Sequence, residues 1–151
     1  MFDRNKSVEY AESWALRYNP SFYNFTDIGG DCTNFISQCL YFGGIMMNYS
    51  TYGWYYRSLN DRAPAWTGVN EFWNFGIQNI GLGIIIRECN IRDLEIADVI
   101  QLGNEDRFYH TLIVSSLSDG IRVCSHDRNA RNIPLSAFSY YRLRCGKIMN
   151  V

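Results

Sequence analysis

The residue best placed to do chemistry in this sequence is Cys32, which follows a glycine turn and opens an apolar run. The turn is Gly29-Gly30-Asp31, and apolar residues then recur at helical spacing up to Gly43-Gly44. This pattern predicts a helix that begins at Cys32, with Asp31 as its N-cap. Backbone N–H groups in a first helical turn lack partners and carry partial positive charge, so they stabilise a thiolate. We therefore expect Cys32 to be a nucleophile, and Cys39, on the apolar face, to be a packing residue.

Two histidines are present, which narrows the choice of a general base. His110 begins the run 110–114, which has the composition of a strand and follows a polar loop at 103–107. Catalytic side chains commonly stand where an element meets a loop. A cysteine at a helix start and a histidine at a strand start form the nucleophile and base pair of a cysteine hydrolase.

A third group is needed to orient the imidazole through its other ring nitrogen. If the next strand pairs with that of His110, its far end returns beside His110 and brings His126, Asp127 and Asn129. Side chains 126 and 127 point to opposite faces of a strand, so at most one of these two fits. The choice stays open at this level. A zinc site of His110, Cys124 and His126 is an alternative, but it lacks recognised ligand spacing.

Length and composition favour a single folded domain over residues 1–151. The chain is 47% hydrophobic, and its net charge of −1 comes from 14 basic and 15 acidic residues with no long run of either sign. We therefore expect neither a nucleic-acid partner nor a membrane partner.

The five cysteines form no Cys-x-x-Cys pair, and a disulfide between Cys89 and Cys145 is an open alternative. No run reaches the length of a membrane span, and the first residues lack the shape of a signal peptide.

The order of the predicted elements favours an α+β fold. Helical spacing covers 5–18, with Asn5 as N-cap, and 66–80, whereas β-rich runs appear only after Gly83. Helices followed by strands with short connections predict helices packed on an antiparallel sheet. Trp54 and Trp66 lie in an aromatic segment where we expect substrate-binding walls, with burial in the core as the alternative. The predicted strands are Ile84–Arg87, Val99–Leu102, Thr111–Ser115, Ile121–Cys124 and Tyr140–Leu143.

Along nearly its whole length, the sequence resembles the bacterial putative amidase domain family. The most specific landmark is Gly-Gly-Asp-Cys-Thr-Asn-Phe-Ile-Ser-Gln at 29–38. The family is similar to the papain-like superfamily with its cysteine, histidine-dependent amidohydrolase/peptidase (CHAP) domains, which cut amide bonds in bacterial peptidoglycan. Weaker landmarks follow the family order: Tyr10-Ala-Glu-Ser-Trp-Ala, Tyr18-Asn-Pro, Trp66-Thr-Gly-Val-Asn-Glu-Phe, Ala97-Asp-Val-Ile-Gln, His110-Thr-Leu-Ile-Val, His126 and Pro134-Leu-Ser.

The resemblance implies a papain-like α+β fold in which Cys32 is the nucleophile and His110 the base. It places the third residue at His126, or at Asp127 and Asn129. The sequence departs from the family pattern at Asp127, where a small polar residue is expected. The implied reaction is acyl transfer through a thioester, with no metal or organic cofactor. The Cys32 backbone N–H and a side chain of the upstream loop, for which we choose Tyr23, would hold the oxyanion.

The substrate implied by the resemblance is peptidoglycan, cut either as an amidase or as an endopeptidase. The expected place of action is the cell wall, as a module of an exported or phage-released protein. Two alternatives remain at this level. One is a cysteine peptidase or amidase with a peptide or other substrate outside the wall. The other is a non-catalytic binding module, in which an aromatic groove holds peptidoglycan and Cys32 is inactive.

Overall fold

In the computed structural model, which describes residues 1–151, the helices and one short hairpin occupy the first half of the chain and the strands of the main sheet occupy the second half. The α-helices are α1 (Arg4–Trp14), α2 (Cys32–Phe42), α3 (Pro64–Thr67) and α4 (Val69–Gln78), and short 3-10 turns cover Ile91–Asp93 and Leu135–Ala137. The strands are β1 (Tyr56–Ser58), β2 (Asp61–Arg62), β3 (Ile86–Cys89), β4 (Val99–Gly103), β5 (Phe108–Ser116), β6 (Arg122–Ser125), β7 (Ala130–Pro134) and β8 (Arg142–Ile148).

Six strands form one sheet in the order β3-β8-β4-β5-β6-β7, and every neighbouring pair is antiparallel. Strands β1 and β2 form a separate short hairpin. The prediction of an α+β fold with an antiparallel sheet is therefore confirmed. Strand β7 was not predicted, because its short sequence Ala-Arg-Asn-Ile-Pro lacks alternating polarity. Cys89 and Cys145 lie opposite each other in the β3–β8 pair, and both are free thiols.

The sheet has an apolar core on each face, because side chains alternate along its strands. Ile113 of β5 joins the core that packs against α1, α2 and α4, together with Phe35 and Trp54. Leu112 and Val114, its neighbours in sequence, join a smaller core on the other face. Strand β5 therefore lies beneath α2 on one side and beneath the segment around Leu135–Phe138 on the other.

Helix boundaries differ from the predictions where capping and backbone geometry decide them. Helix α1 begins after Asp3, whose side chain accepts from the Lys6 N–H, so the expected cap at Asn5 is wrong. Helix α2 begins at Cys32 as predicted. The predicted helix at 66–80 is divided at Gly68, whose extended backbone separates α3 from α4. No helix has the length and apolar character needed to span a membrane.

Candidate active site

Cys32 is the first residue of α2 and is 5% exposed. Helix α2 meets β5 there, because the hydroxyls of Thr33 and Thr111 lie 2.9 Å apart in a buried hydrogen bond. The Cys32 Sγ lies 3.7 Å from Thr33 Oγ1 and 4.0 Å from the carbonyl oxygen of Tyr109. Burial raises the pKa of the Cys32 thiol, and the negative charge of Asp127 acts in the same direction. The thiol is therefore held, in its neutral form, beside the residue that precedes His110.

His110 is nine-tenths buried, and its ring lies 6.1 Å from that of Phe138. It pairs with Leu102 of β4, whereas the next residue, Thr111, contacts α2. The Nε2 atom of His110 is buried without a hydrogen-bond partner, and no hydrogen bond joins its ring to Cys32. Burial lowers the pKa of His110 to about 4, with a further contribution from the Arg128 charge. The imidazole is therefore neutral at neutral pH and able to accept a proton.

Asp127 lies in the turn between β6 and β7, and its carboxylate sits at the N-terminus of α2. The Asp31 N–H donates to both Asp127 oxygens, at 2.8 and 2.7 Å, and the Cys32 N–H donates to Oδ2 at 3.2 Å. Asp31 occupies the N-cap position but makes no side-chain capping bond, so the predicted cap comes from a distant residue instead. The structure thus brings Asp127 to the backbone of Cys32, and no hydrogen bond joins it to His110.

His126 is engaged at both ring nitrogens. Its Nδ1 lies 2.6 Å from Asp31 Oδ2, and its Nε2 lies 2.7 Å from the carbonyl oxygen of Trp14. The ring stacks on Phe35 with 4.0 Å between centroids. These contacts correct the expectation that His126 could orient His110, because neither nitrogen is free to do so. The physical reason is that β6 ends at Ser125, and the turn directs residue 126 into the helix side of the molecule.

The two remaining polar candidates make no hydrogen bond to the thiol. Asn129 is exposed, and its side-chain oxygen accepts from the Tyr18 hydroxyl at 3.4 Å. Tyr23 is 39% exposed and packs its ring against Phe25. Neither side chain hydrogen-bonds to His110 either, so no hydrogen bond links these candidates to the expected nucleophile and base.

Trp54 and Trp66 are fully buried, which corrects their assignment to substrate-binding walls. Their rings lie 4.7 Å apart in the helix-side core. The Trp54 indole N–H donates to Ser37 Oγ at 3.0 Å and that of Trp66 donates to Asn34 Oδ1 at 2.9 Å. Because α2 supplies both acceptors, the indoles can be buried without losing hydrogen bonds.

A cavity of about 300 Å³ opens beside His110 and Asp127, and Cys32 is not among the residues that line it. A second groove, of about 190 Å³, includes Gly29, Asn70 and Arg107 and also Tyr109, so Tyr109 lines both clefts. Arg128, which lies 4.3 Å above the Phe138 ring, was not found from the sequence, since nothing local marks it. The first cavity is lined by Leu102, Tyr109, His110, Asp127, Arg128, Phe138 and Ser139.

The zinc alternative has no support in the structure. No group of three or more histidine, cysteine, aspartate or glutamate side chains comes close enough to hold a metal ion. Cys124 is buried in the helix-side core, and both nitrogens of His126 are already bonded.

Comparison with known proteins assigns the family. The chain is 33% identical over 132 residues to the uncharacterized protein YhbB of Bacillus subtilis strain 168, an overlap of 79% of this chain and 39% of that protein. It is 24% identical over 138 residues to the uncharacterized protein YjcM of the same strain, covering 85% of this chain and 31% of that protein. The chain thus spans less than half of these relatives, and no solved structure matches it. Residues 1–148 match the model of a putative amidase domain, and the chain therefore belongs to this family.

Proposed function

We propose that this chain is a cysteine-dependent hydrolase of amide bonds, with a papain-like arrangement of its helix and sheet. The observation that carries the proposal is the position of Cys32. It stands in the first turn of α2, and its Sγ lies 4.0 Å from the carbonyl oxygen of Tyr109, which precedes His110. Tyr109 and His110 both line an open cavity. The family name supports the reaction class.

The proposed reaction is acyl transfer. The Cys32 sulfur attacks the carbonyl carbon of an amide while His110 accepts the thiol proton, and His110 then protonates the leaving amine as the C–N bond breaks. Water, deprotonated by His110, hydrolyses the thioester and restores the thiol. The Cys32 N–H is the proposed oxyanion donor. His110 must turn from Phe138 towards the sulfur, which is consistent with the loose geometry of many ligand-free sites.

We further propose peptidoglycan as the substrate, acted on at the cell wall. The family resemblance supports this, and so do the two clefts at Tyr109, because each contains an arginine without a carboxylate partner. Arg107 and Arg128 suit a peptide that carries free carboxylates on both sides of the cleaved bond. A binding module without catalysis receives less support, because the tryptophans expected to form its groove are buried.

The test is digestion of purified peptidoglycan, followed by mass spectrometry of the released fragments. We expect the wild type to release fragments and Cys32→Ser to release none, because a serine hydroxyl is a much weaker acid than a thiol and burial makes His110 a weak base. Cys89→Ser is the matched control, since Cys89 is a half-buried thiol on the edge strand β3, and it should retain activity. The new amine end distinguishes an amidase from an endopeptidase.

Three results would contradict the proposal. Equal release by the wild type and Cys32→Ser would show that the sulfur is not the nucleophile. Cleavage of peptides but not of peptidoglycan would support the proposed cysteine hydrolase and refute peptidoglycan as its substrate. Sedimentation of the wild type with insoluble peptidoglycan, without any release, would support the binding module instead.

A further inference from the structure

The helix end that carries the proposed oxyanion donor is already occupied. The Cys32 N–H donates to Asp127 Oδ2, and the Asp31 N–H donates to both oxygens of the same carboxylate. A carboxylate is an anion, so it takes the place at these N–H groups that a tetrahedral oxyanion would need. A substrate carbonyl therefore cannot accept from the Cys32 N–H while Asp127 remains there.

Both backbone segments that meet in this contact, at Gly30 and at Asp127, have a positive φ. Gly30 has φ +102°, and a Cβ at that position would lie 2.6 Å from Asp127 Oδ2, so a larger residue would displace the carboxylate. Asp127 itself has φ +75°, in the left-handed region that costs about 1 kcal/mol for most residues other than glycine. Two unusual backbone conformations thus meet at one carboxylate. Residues 127–129 are exposed, so the turn can move without opening the core.

The neighbouring cavity contains a second sign that a ligand belongs there. His110 lines the same cavity as Asp127, is nine-tenths buried, and has its Nε2 without a partner. Buried polar atoms nearly always have a hydrogen-bond partner in protein structures, so an unpaired one needs an explanation. A substrate in the cavity would provide one.

We infer that Asp127 holds the oxyanion-binding end of α2 closed in the resting protein, and that the 127–129 turn must release this carboxylate before acyl transfer. The consequence for catalysis rests on the proposed function. The closure itself is a property of the surroundings of Cys32 and can be tested without any substrate.

The experiment compares alkylation of Cys32 by two reagents of similar size, iodoacetate, which is an anion, and iodoacetamide, which is neutral. The variants are Asp127→Ala and Asp127→Asn, and the latter keeps the size of the side chain and one acceptor oxygen. Peptide mass spectrometry gives the labelling rate at Cys32, with Cys89 in the same molecule as internal control. Circular dichroism verifies that each variant is folded.

We expect the ratio of iodoacetate to iodoacetamide labelling at Cys32 to rise roughly threefold or more in both variants, because a neighbouring negative charge is removed. The ratio at Cys89 should not change. An unchanged ratio at Cys32 in folded variants overturns the inference. Slower labelling by both reagents also overturns it, because the carboxylate would then assist the thiol.

The outcomes for closure and for catalysis are separable. If the ratio rises but the wild type releases nothing from peptidoglycan, the closure stands and the proposed function falls. If the wild type releases fragments but the ratio is constant, the hydrolase stands and the closure falls.

Discussion

The two histidines of this chain have opposite surroundings. His110 has an unpartnered Nε2 beside an open cavity, whereas His126 is bonded at both nitrogens and stacked on Phe35. An unpaired buried nitrogen suits a group that must exchange protons, and a fully bonded ring suits a structural role. His110 is therefore the proposed base. His126 links the end of α1 and the loop after it to Asp31 at the start of α2.

The depressed pKa of His110 predicts a stability that depends on pH. The folded protein resists protonation of His110 down to about pH 4, whereas an unfolded chain gains the proton below its ordinary pKa of 6.5. The free energy of unfolding should therefore fall by up to about 3 kcal/mol as the pH drops through this window. Urea unfolding at several pH values measures it. His110→Gln should lack this part of the slope, and equal slopes in the two proteins would contradict the prediction.

Removal of the His126 side chain should destabilise the protein, although His126 makes no hydrogen bond to the Cys32 thiol. His126→Ala leaves the buried Asp31 carboxylate without its imidazole partner, which should cost about 3 kcal/mol. Urea unfolding at neutral pH provides the measurement. Asn129→Ala, three residues away and exposed, should change stability by less than about 0.5 kcal/mol. A small effect at His126 would show that the pair is not a structural tie.

At the scale of elements, the site is formed where two turns meet the end of a helix. The 29–31 turn precedes α2, and the β6–β7 turn brings Asp127 onto it from 96 residues further along the chain. Both depend on backbone with positive φ, at Gly29, Gly30 and Asp127. A substitution in either turn should therefore change the contribution of the other turn to the free energy of unfolding.

Two neighbouring glycines allow this coupling to be measured. A Cβ at Gly29 meets nothing within 4 Å, whereas one at Gly30 meets Asp127. Gly29→Ala should cost about 1 kcal/mol from its positive φ alone, and Gly30→Ala should cost more. In an Asp127→Ala background, the penalty of Gly30→Ala should shrink, as a double-mutant cycle of unfolding free energies would show. Strict additivity would mean that the contact contributes nothing.

For the whole molecule, a buried charge cluster fixes the helical half of the chain to the sheet. Asp98 is fully buried and accepts from Arg4 Nη1 at 2.7 Å, from the Ile148 N–H at 2.9 Å and from Lys147 Nζ at 3.2 Å. Arg4 also donates to the carbonyl of Ile148 at 2.7 Å. The first turn of α1 is therefore bound to β8 and to the segment before β4.

Arg4→Met should cost about 2 to 3 kcal/mol, because Asp98 would lose its closest charged partner while remaining buried. Arg57→Met is the control, since its pair with Asp61 is exposed on both sides and should contribute less than about 1 kcal/mol. Chemical denaturation of both variants gives the comparison. Similar losses in the two would place the cluster among ordinary surface pairs.

Local sequence was enough to predict the α+β class, the strands from β3 to β6 and the start of α2 at Cys32, because helix starts and strand patterns depend on residues close together in the chain. The contacts between residues distant in the chain became visible only in the folded molecule. Asp127 reaches Cys32, His126 reaches Asp31, and Trp66 reaches α2, through contacts that join residues 32 to 95 positions apart. The angle at which a turn leaves a strand sets such contacts, and no short stretch of sequence specifies that angle.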